Sequence, residues 1–167
     1  MLIWMKRFLA LISLLFTFAV VSAQKFVISF PDSIMKYNVT IDFRKANITG
    51  ICILKFDADG EIKGAIVNEF GIHAMNFTVS ADRQNVKLVD VISFMDKWYI
   101  KKVVRGDLQY LFSATTDTLG KEQGRRKVEM QDDKSITMSN LKYDITYNFC
   151  YINDAGDETT EWDVYHR

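Results

Sequence analysis

Few residues in this chain are equipped for covalent or acid–base chemistry. Its 167 residues hold two histidines, His73 and His166, and two cysteines, Cys52 and Cys150. Triad catalysis needs a histidine between an acid and a nucleophile, and no Gly-x-Ser-x-Gly elbow marks Ser29, Ser80 or Ser93 as an activated hydroxyl. His73 falls in a strand-like run and reads as a half-buried strand residue. Only a cleft joining it to a carboxylate and a hydroxyl would make it a general base. Neither histidine nor cysteine recurs at metal-ligand spacing, so no metal or other cofactor is expected. Asp57-Ala58-Asp59-Gly60-Glu61 opens like a calcium loop but lacks the later ligands and the closing glutamate. A hairpin turn accounts for it better. Phosphate-cradling glycine loops are missing, and the acid pairs Asp132-Asp133 and Asp157-Glu158 fall in turns. The chain reads as a non-enzyme.

Its apolar residues carry more information. Tyr143, Tyr147, Phe149 and Tyr151 alternate along one strand-like run. Two readings stand: core packed on a helix, or the wall of an apolar ligand cavity, where a tyrosine ring is apolar and its hydroxyl reaches a polar rim. Met75, Met95, Met130 and Met138 would make such a cavity adaptable. On the cavity reading the lining residues are Ile53, Ile66, Met75, Phe77, Val103, Tyr147 and Phe149. Asn38-Val39-Thr40, Asn47-Ile48-Thr49 and Asn76-Phe77-Thr78 match the N-glycosylation acceptor. They lie in or beside strands, where Asn and Thr are ordinary outward residues, and in a chain of bacterial character the match reads as coincidence.

The elements that must position these residues are mostly strands. Residues 26–30 form a short apolar run before the turn Pro31-Asp32-Ser33. Tyr37, Val39, Ile41 and Phe43 alternate with polar residues, the period-2 signature of a strand with one buried face. Residues 48–56 are apolar almost throughout, which predicts a strand covered on both faces. Asp57 to Gly60 is a hairpin turn, and residues 61–69 return as the partner strand. Strands follow at 72–79 and 86–89 across a polar turn. The period then changes. Met95, Tyr99 and Val103, with Ile100, Val104, Leu108 and Leu111 beside them, predict an amphipathic helix over 92–112, with Lys97, Lys101, Lys102, Arg105 and Gln109 opposite. Gly106 inside it costs about 1 kcal/mol against alanine and marks a bend, a close contact or a join. Residues 113–127 predict a loop, with Arg125, Arg126 and Lys127 as a solvated turn. Strands resume at 128–130, 136–138 and 143–151, and a last one is predicted at 159–166. The fold class is therefore mainly β (α+β): a curved antiparallel sheet or incomplete barrel wrapped around one long amphipathic helix.

The first residues set the compartment. Lys6 and Arg7 precede an apolar run at 8–21, and Val21-Ser22-Ala23 supplies the small residues of a cleavage site: a secretory signal peptide at 1–23. An uncleaved anchor is the alternative, though the run is short for a span. One domain, 24–167, follows, with 19 basic against 21 acidic residues. That balance gives no electrostatic reason to expect nucleic acid. Gln24 stands where a bacterial lipoprotein needs its acylated cysteine, so no covalent lipid anchor is expected, and the protein is predicted to be exported and soluble once the leader is removed. Cys52 and Cys150 either remain separate buried thiols or, in an oxidising compartment, close a loop whose entropic stabilisation would be about 4 kcal/mol.

Asn68-Glu69-Phe70-Gly71, the following strand with Asn76-Phe77, then Val86 to Val89, and the helix through Tyr99-Ile100-Lys101-Lys102 to Asp107-Leu108-Gln109-Tyr110-Leu111 resemble a group of small exported proteins of Bacteroidetes. The shared pattern is strand, Asn-Glu-x-Gly, strand, and a helix with a Lys-rich middle and an Asp-x-x-x-Leu end. These are similar in layout to lipoprotein-localisation carriers of the LolA/LolB type, incomplete β-barrels with helices over an apolar cavity. The match spans residues 48–112. The resemblance implies a periplasmic, non-enzymatic protein that binds a lipid or a lipoprotein acyl chain, and it transfers no functional residue. The chain departs from the receptor type at Gln24 and from the soluble carriers in having one helical segment as its lid.

Two further readings remain open beside the lipid-binding one. The first is a cell-envelope structural or interaction protein with a fully packed core and no ligand. The second is an enzyme built around His73. Partner proteins and oligomeric state are left open.

Overall fold

The computed structural model describes residues 25–29, 34–44 and 46–152. The predicted leader at 1–23, the turn at 31–33, and the turn and strand at 153–166 lie outside the described residues. The elements run β1 (Ile34–Phe43), β2 (Ala46–Phe56), β3 (Ile62–Val67), β4 (His73–Val79), β5 (Val86–Val91), α1 (Trp98–Ser113), β6 (Glu122–Gln123), β7 (Arg126–Met130), β8 (Ile136–Asn140) and β9 (Ile145–Tyr151). The strands make one antiparallel sheet in the order β5-β4-β3-β2-β1-β9-β8-β7-β6. The sheet is curved and unclosed, with α1 in its opening. The helix touches β5 at one edge and β7 and β8 near the other. The chain is mainly β with a sheet wrapped around one helix, as its patterning predicts.

Alternation decides what is buried. Tyr37, Val39 and Ile41 of β1 face inward, opposite Cys52, Gly50 and Ile48 of β2 and beside Tyr151, Phe149 and Tyr147 of β9. Ile62, Ile66, Met75, Phe77, Val79, Val128, Ile136 and Met138 continue this concave surface, and Val104, Leu108, Leu111 and Phe112 of α1 lie on it. Each fully buried aliphatic or aromatic side chain contributes about 1.5–3 kcal/mol.

Strand β2 departs from its prediction. Only Ile48, Cys52 and Leu54 are buried, while Ile51 and Ile53 are each 36% exposed. A single helix covers one face of the sheet, so the continuous apolar run of β2 leaves its alternate side chains on the uncovered convex face. The cysteines are separated for the same reason. Cys52 is buried on the concave face, Cys150 pairs with Asn38 on the convex one, and both are free thiols.

The helix is shorter than predicted. Met95 N–H donates to Ile92 O and Asp96 N–H to Ser93 O, forming turns, and Lys97 is extended (φ −105°, ψ 134°) before α1 begins. Met95 is still buried, so the apolar periodicity that extends the prediction to residue 92 comes from a packed turn. Gly106 marks a close contact: a Cβ there would stand 3.0 Å from Arg126 Nη2. The predicted loop at 113–127 already contains β6 and the start of β7. Gly124 (φ 57°) and Arg125 (φ 65°) form the two-residue turn between them, a type I′ geometry that needs positive φ at both positions. The segment at 25–29 is held by Val27 N–H to Ala114 O (2.9 Å), and Arg83 places its guanidinium 5.5 Å from both the Phe26 and Phe56 ring centres.

Gly64 lies opposite Phe77, whose ring covers it and packs on Phe112 with centroids 5.7 Å apart. A Cβ at Gly64 would fall 2.1 Å from Phe77 Cζ. Gly64→Ala should destabilise by about 1–3 kcal/mol, the usual cost of overpacking, in urea unfolding. Adding Phe77→Leu should recover part of that loss, whereas an unaltered Gly64→Ala midpoint would contradict this packing.

Candidate functional site

The register of the last strands gathers three polar groups on the concave face. Arg126 of β7 lies opposite Asn140 of β8, and Asn140 lies opposite Ile145 of β9, one inward position from Tyr147. Asp107 of α1 descends onto them and is fully buried. Its Oδ1 accepts from Arg126 Nε (2.6 Å) and Asn140 Nδ2 (2.6 Å), and its Oδ2 accepts from the Tyr147 hydroxyl (2.8 Å). Asn140 Oδ1 in turn accepts from Lys142 N–H at 3.2 Å, which fixes the amide's orientation. A buried charge is tolerable only when paired and hydrogen-bonded, and Asp107 meets both conditions. Burial first, and the neighbouring Asp107 carboxylate second, push the Tyr147 hydroxyl well above its ordinary value, so it remains a donor.

Beside this cluster, at one end of the half-barrel, lies an open cleft of about 740 Å³. One wall is the turn before α1 and the first two turns of the helix: Phe94, Met95, Trp98, Tyr99, Ile100 and Val103. The other is formed by the ends of two hairpins, with Phe43 and Ala46 from β1–β2 and Tyr143 and Ile145 from β8–β9. Phe94, Trp98, Tyr99 and Tyr143 are exposed, Trp98 to 74%, and Trp98 meets Tyr99 edge to face at 5.9 Å. Clustered exposed aromatics of this kind mark interaction surfaces more often than scattered single apolar residues do. Lys102, Arg105 and Arg126 are the cations on the lining. A second groove, about 660 Å³, runs between β5 and the outer side of α1, where Glu61, Lys87 and Lys101 stand beside Val86, Leu88 and Trp98. The first cleft falls within the size range of small-molecule sites and has their apolar character with a few polar groups.

The seven residues read from the sequence as lining are divided by the structure. Val103 lines the cleft. Ile66, Met75, Phe77, Tyr147 and Phe149 are buried in the core, Tyr147 with its hydroxyl on Asp107 and Phe149 edge-on to Tyr37 at 6.2 Å. Ile53 is on the convex face, over a shallow hollow beside Ala65 and Val89. Of the methionines, Met95 reaches the cleft, Met75 and Met138 are in the core, and Met130 is exposed. Sequence reading overlooked Asp107 and Arg126. An acid between Val103 and Leu111 on the apolar side of the helix was a usable signal for Asp107. Arg126, read as part of a solvated turn, instead opens β7 and is paired with Asp107. His73 Nδ1 stands 3.7 Å from Asp90 Oδ2, and its Nε2 is buried without a hydrogen-bond partner among the described residues. Among the described residues, no group of three or more His, Cys, Asp or Glu converges as a metal site, and no helix is long and apolar enough to cross a membrane.

No protein-family model matches the chain, and no curated protein is significantly similar to it. The fold and site thus define its class by geometry: a nine-stranded half-barrel among the described residues, closed by one helix, with an aromatic-rimmed apolar cleft beside a buried ionic cluster.

Two outcomes follow. Asp107→Ala strips Arg126, Asn140 and Tyr147 of their shared acceptor and should destabilise by about 3–5 kcal/mol in chemical denaturation; a loss below about 1 kcal/mol would contradict the cluster's role. The raised Tyr147 hydroxyl makes stability depend on pH. The unfolded chain loses this proton near pH 10 and the native chain holds it. Stability is therefore full below about pH 10 and declines as pH rises further, by up to about 1.4 kcal/mol per pH unit for one such tyrosine. Tyr147→Phe should flatten the decline measured by urea unfolding between about pH 10 and about pH 11. Some slope should remain from Tyr37, whose hydroxyl is also raised, chiefly by burial.

Proposed function

We propose that this protein is an exported, periplasmic, non-enzymatic binding protein that takes a lipid or acyl chain into the cleft between α1 and the hairpin ends. The observation that carries the proposal is the cleft itself: about 740 Å³, walled by Met95, Ile100, Val103 and Ile145 and rimmed by Phe94, Trp98, Tyr99 and Tyr143. An alkyl chain laid there removes apolar surface from water on both partners, at about 25 cal/mol per Å². Aromatic side chains supply large contact area at small conformational cost. The space lies at the end of the half-barrel. Under the C-terminal half of α1 the interior is filled by Leu108, Leu111, Phe112 and Phe77, so the guest would lie along the first turns of the helix. The basic head, apolar run and small-residue site at 1–23 support export, and the resemblance to lipoprotein-localisation carriers points to the same role.

A packed envelope protein without a ligand is the competing reading, and the filled core favours it. The two diverge in a fluorescence titration with N-phenyl-1-naphthylamine, a neutral apolar probe. The binding reading predicts saturable, blue-shifted emission, weakened about tenfold by Val103→Gln, a change of about 1.4 kcal/mol. Absence of saturable emission from the folded protein would leave the packed envelope protein as the better account.

A further inference from the structure

We propose that the guest of this cleft is an amphiphile with an anionic head, and that Arg126, aimed by Asp107, receives that head. The inference deepens the binding function proposed above and rests on it. Lys102, Arg105 and Arg126 all border the cleft, and among the described residues no carboxylate does. Asp107 does not offset them there. It is fully buried behind the lining, and both its oxygens are already engaged by Arg126, Asn140 and Tyr147.

The geometry of Arg126 separates it from an ordinary surface cation. Its Nε is spent on Asp107 at 2.6 Å, and its side chain is 27% exposed. The terminal nitrogens make no further hydrogen bond among the described residues. Nη2 lies beside Gly106, where a Cβ would approach to 3.0 Å, so the helix passes close to the guanidinium, and both Gly106 and Arg126 are on the cleft lining. A guanidinium is a planar fork suited to bidentate contact with carboxylate or phosphate. Anchoring it at Nε on a buried acid fixes the plane of that fork before a ligand arrives, which lowers the ordering cost of binding. The I′ turn at Gly124–Arg125 and the pairing of Arg126 with Asn140 hold the same side chain from the strand side. Asp107 is thus a positioning residue and Arg126 the contact. Arg105 and Lys102, on the exposed helix surface, add attraction at longer range.

Carboxylate and phosphate heads share this chemistry, and the test separates them. Palmitate, hexadecyl phosphate and 1-hexadecanol carry the same chain with different heads. Each would be used to displace N-phenyl-1-naphthylamine from the purified full-length protein. At least one anionic amphiphile should displace the probe at about tenfold lower concentration than the alcohol, and the stronger of the two identifies the head. Arg126→Gln should erase that preference, each displacement being read against the variant's own affinity for the probe. If Arg126→Gln fails to fold, Arg126→Lys keeps a charge for Asp107 but removes the fork, and should cut the preference at least about threefold. Asp107→Asn should lower the preference with the probe still bound, and Lys102→Gln with Arg105→Gln should reduce it only modestly and in a salt-sensitive way. Equal displacement by alcohol and anions, or a preference that survives at Arg126 and vanishes with Lys102 and Arg105, would overturn the inference while leaving a lipid-binding cleft in place. Failure of the probe to bind would overturn both.

Discussion

A single buried carboxylate ties the helix of this protein to its sheet. Apolar contact between α1 and the concave surface is non-directional: Val104, Leu108, Leu111 and Phe112 would gain similar burial in several registers. Asp107 removes that freedom. Its two oxygens hold donors from β7, β8 and β9 within 2.6–2.8 Å, and any sliding or rotation of the helix leaves a charge stranded in a dry interior, at a cost of several kcal/mol. The sheet in turn depends on the helix. Its two edges, β5 and β6, do not pair with each other, so α1 is what spans the opening.

The cleft follows from where that tie is placed. The C-terminal half of α1 is pinned over the core, with Gln109 Nε2 also donating to Gln84 O at 2.5 Å on the β5 side. The first two turns continue beyond the ionic cluster to where the β1–β2 and β8–β9 hairpins end. Strand ends are too short to follow the helix there, and the wedge between them is lined by whatever the sequence supplies. Here that is four exposed aromatics and three cations. The same cluster that fixes the helix also presents one of those cations to the cleft.

Much of this was legible in the amino-acid sequence, for identifiable reasons. Strict alternation at Tyr37–Phe43 and again at Ile145–Tyr151 reports a sheet buried on one face, and the switch to 3.6-residue spacing after Val91 reports the helix. Periodicity could not tell a packed turn from a first helical turn, because Met95 is buried either way. It also could not tell that the apolar run of β2 would have only one face covered, since that depends on how many helices are available. The site was harder to see. Core and cleft draw on the same residue types, so Ile66 and Phe77 are indistinguishable in sequence from Val103. Asp107 interrupts an apolar stripe at helical spacing, a visible anomaly. Its partners are 19, 33 and 40 residues away and are brought together only by strand register. Arg126 looked like turn material because the two positive-φ residues before it form the turn and it does not.

The central claim is that the space beside the pinned helix holds an alkyl chain. It is tested most directly by photolabelling the protein with a diazirine-bearing palmitate and mapping the adducts by peptide mass spectrometry. The account predicts adducts confined to residues 94–103 and 143–145. Labelling spread over the convex face around Ile51 and Ile53, or none above a bovine albumin-competed background, would contradict it.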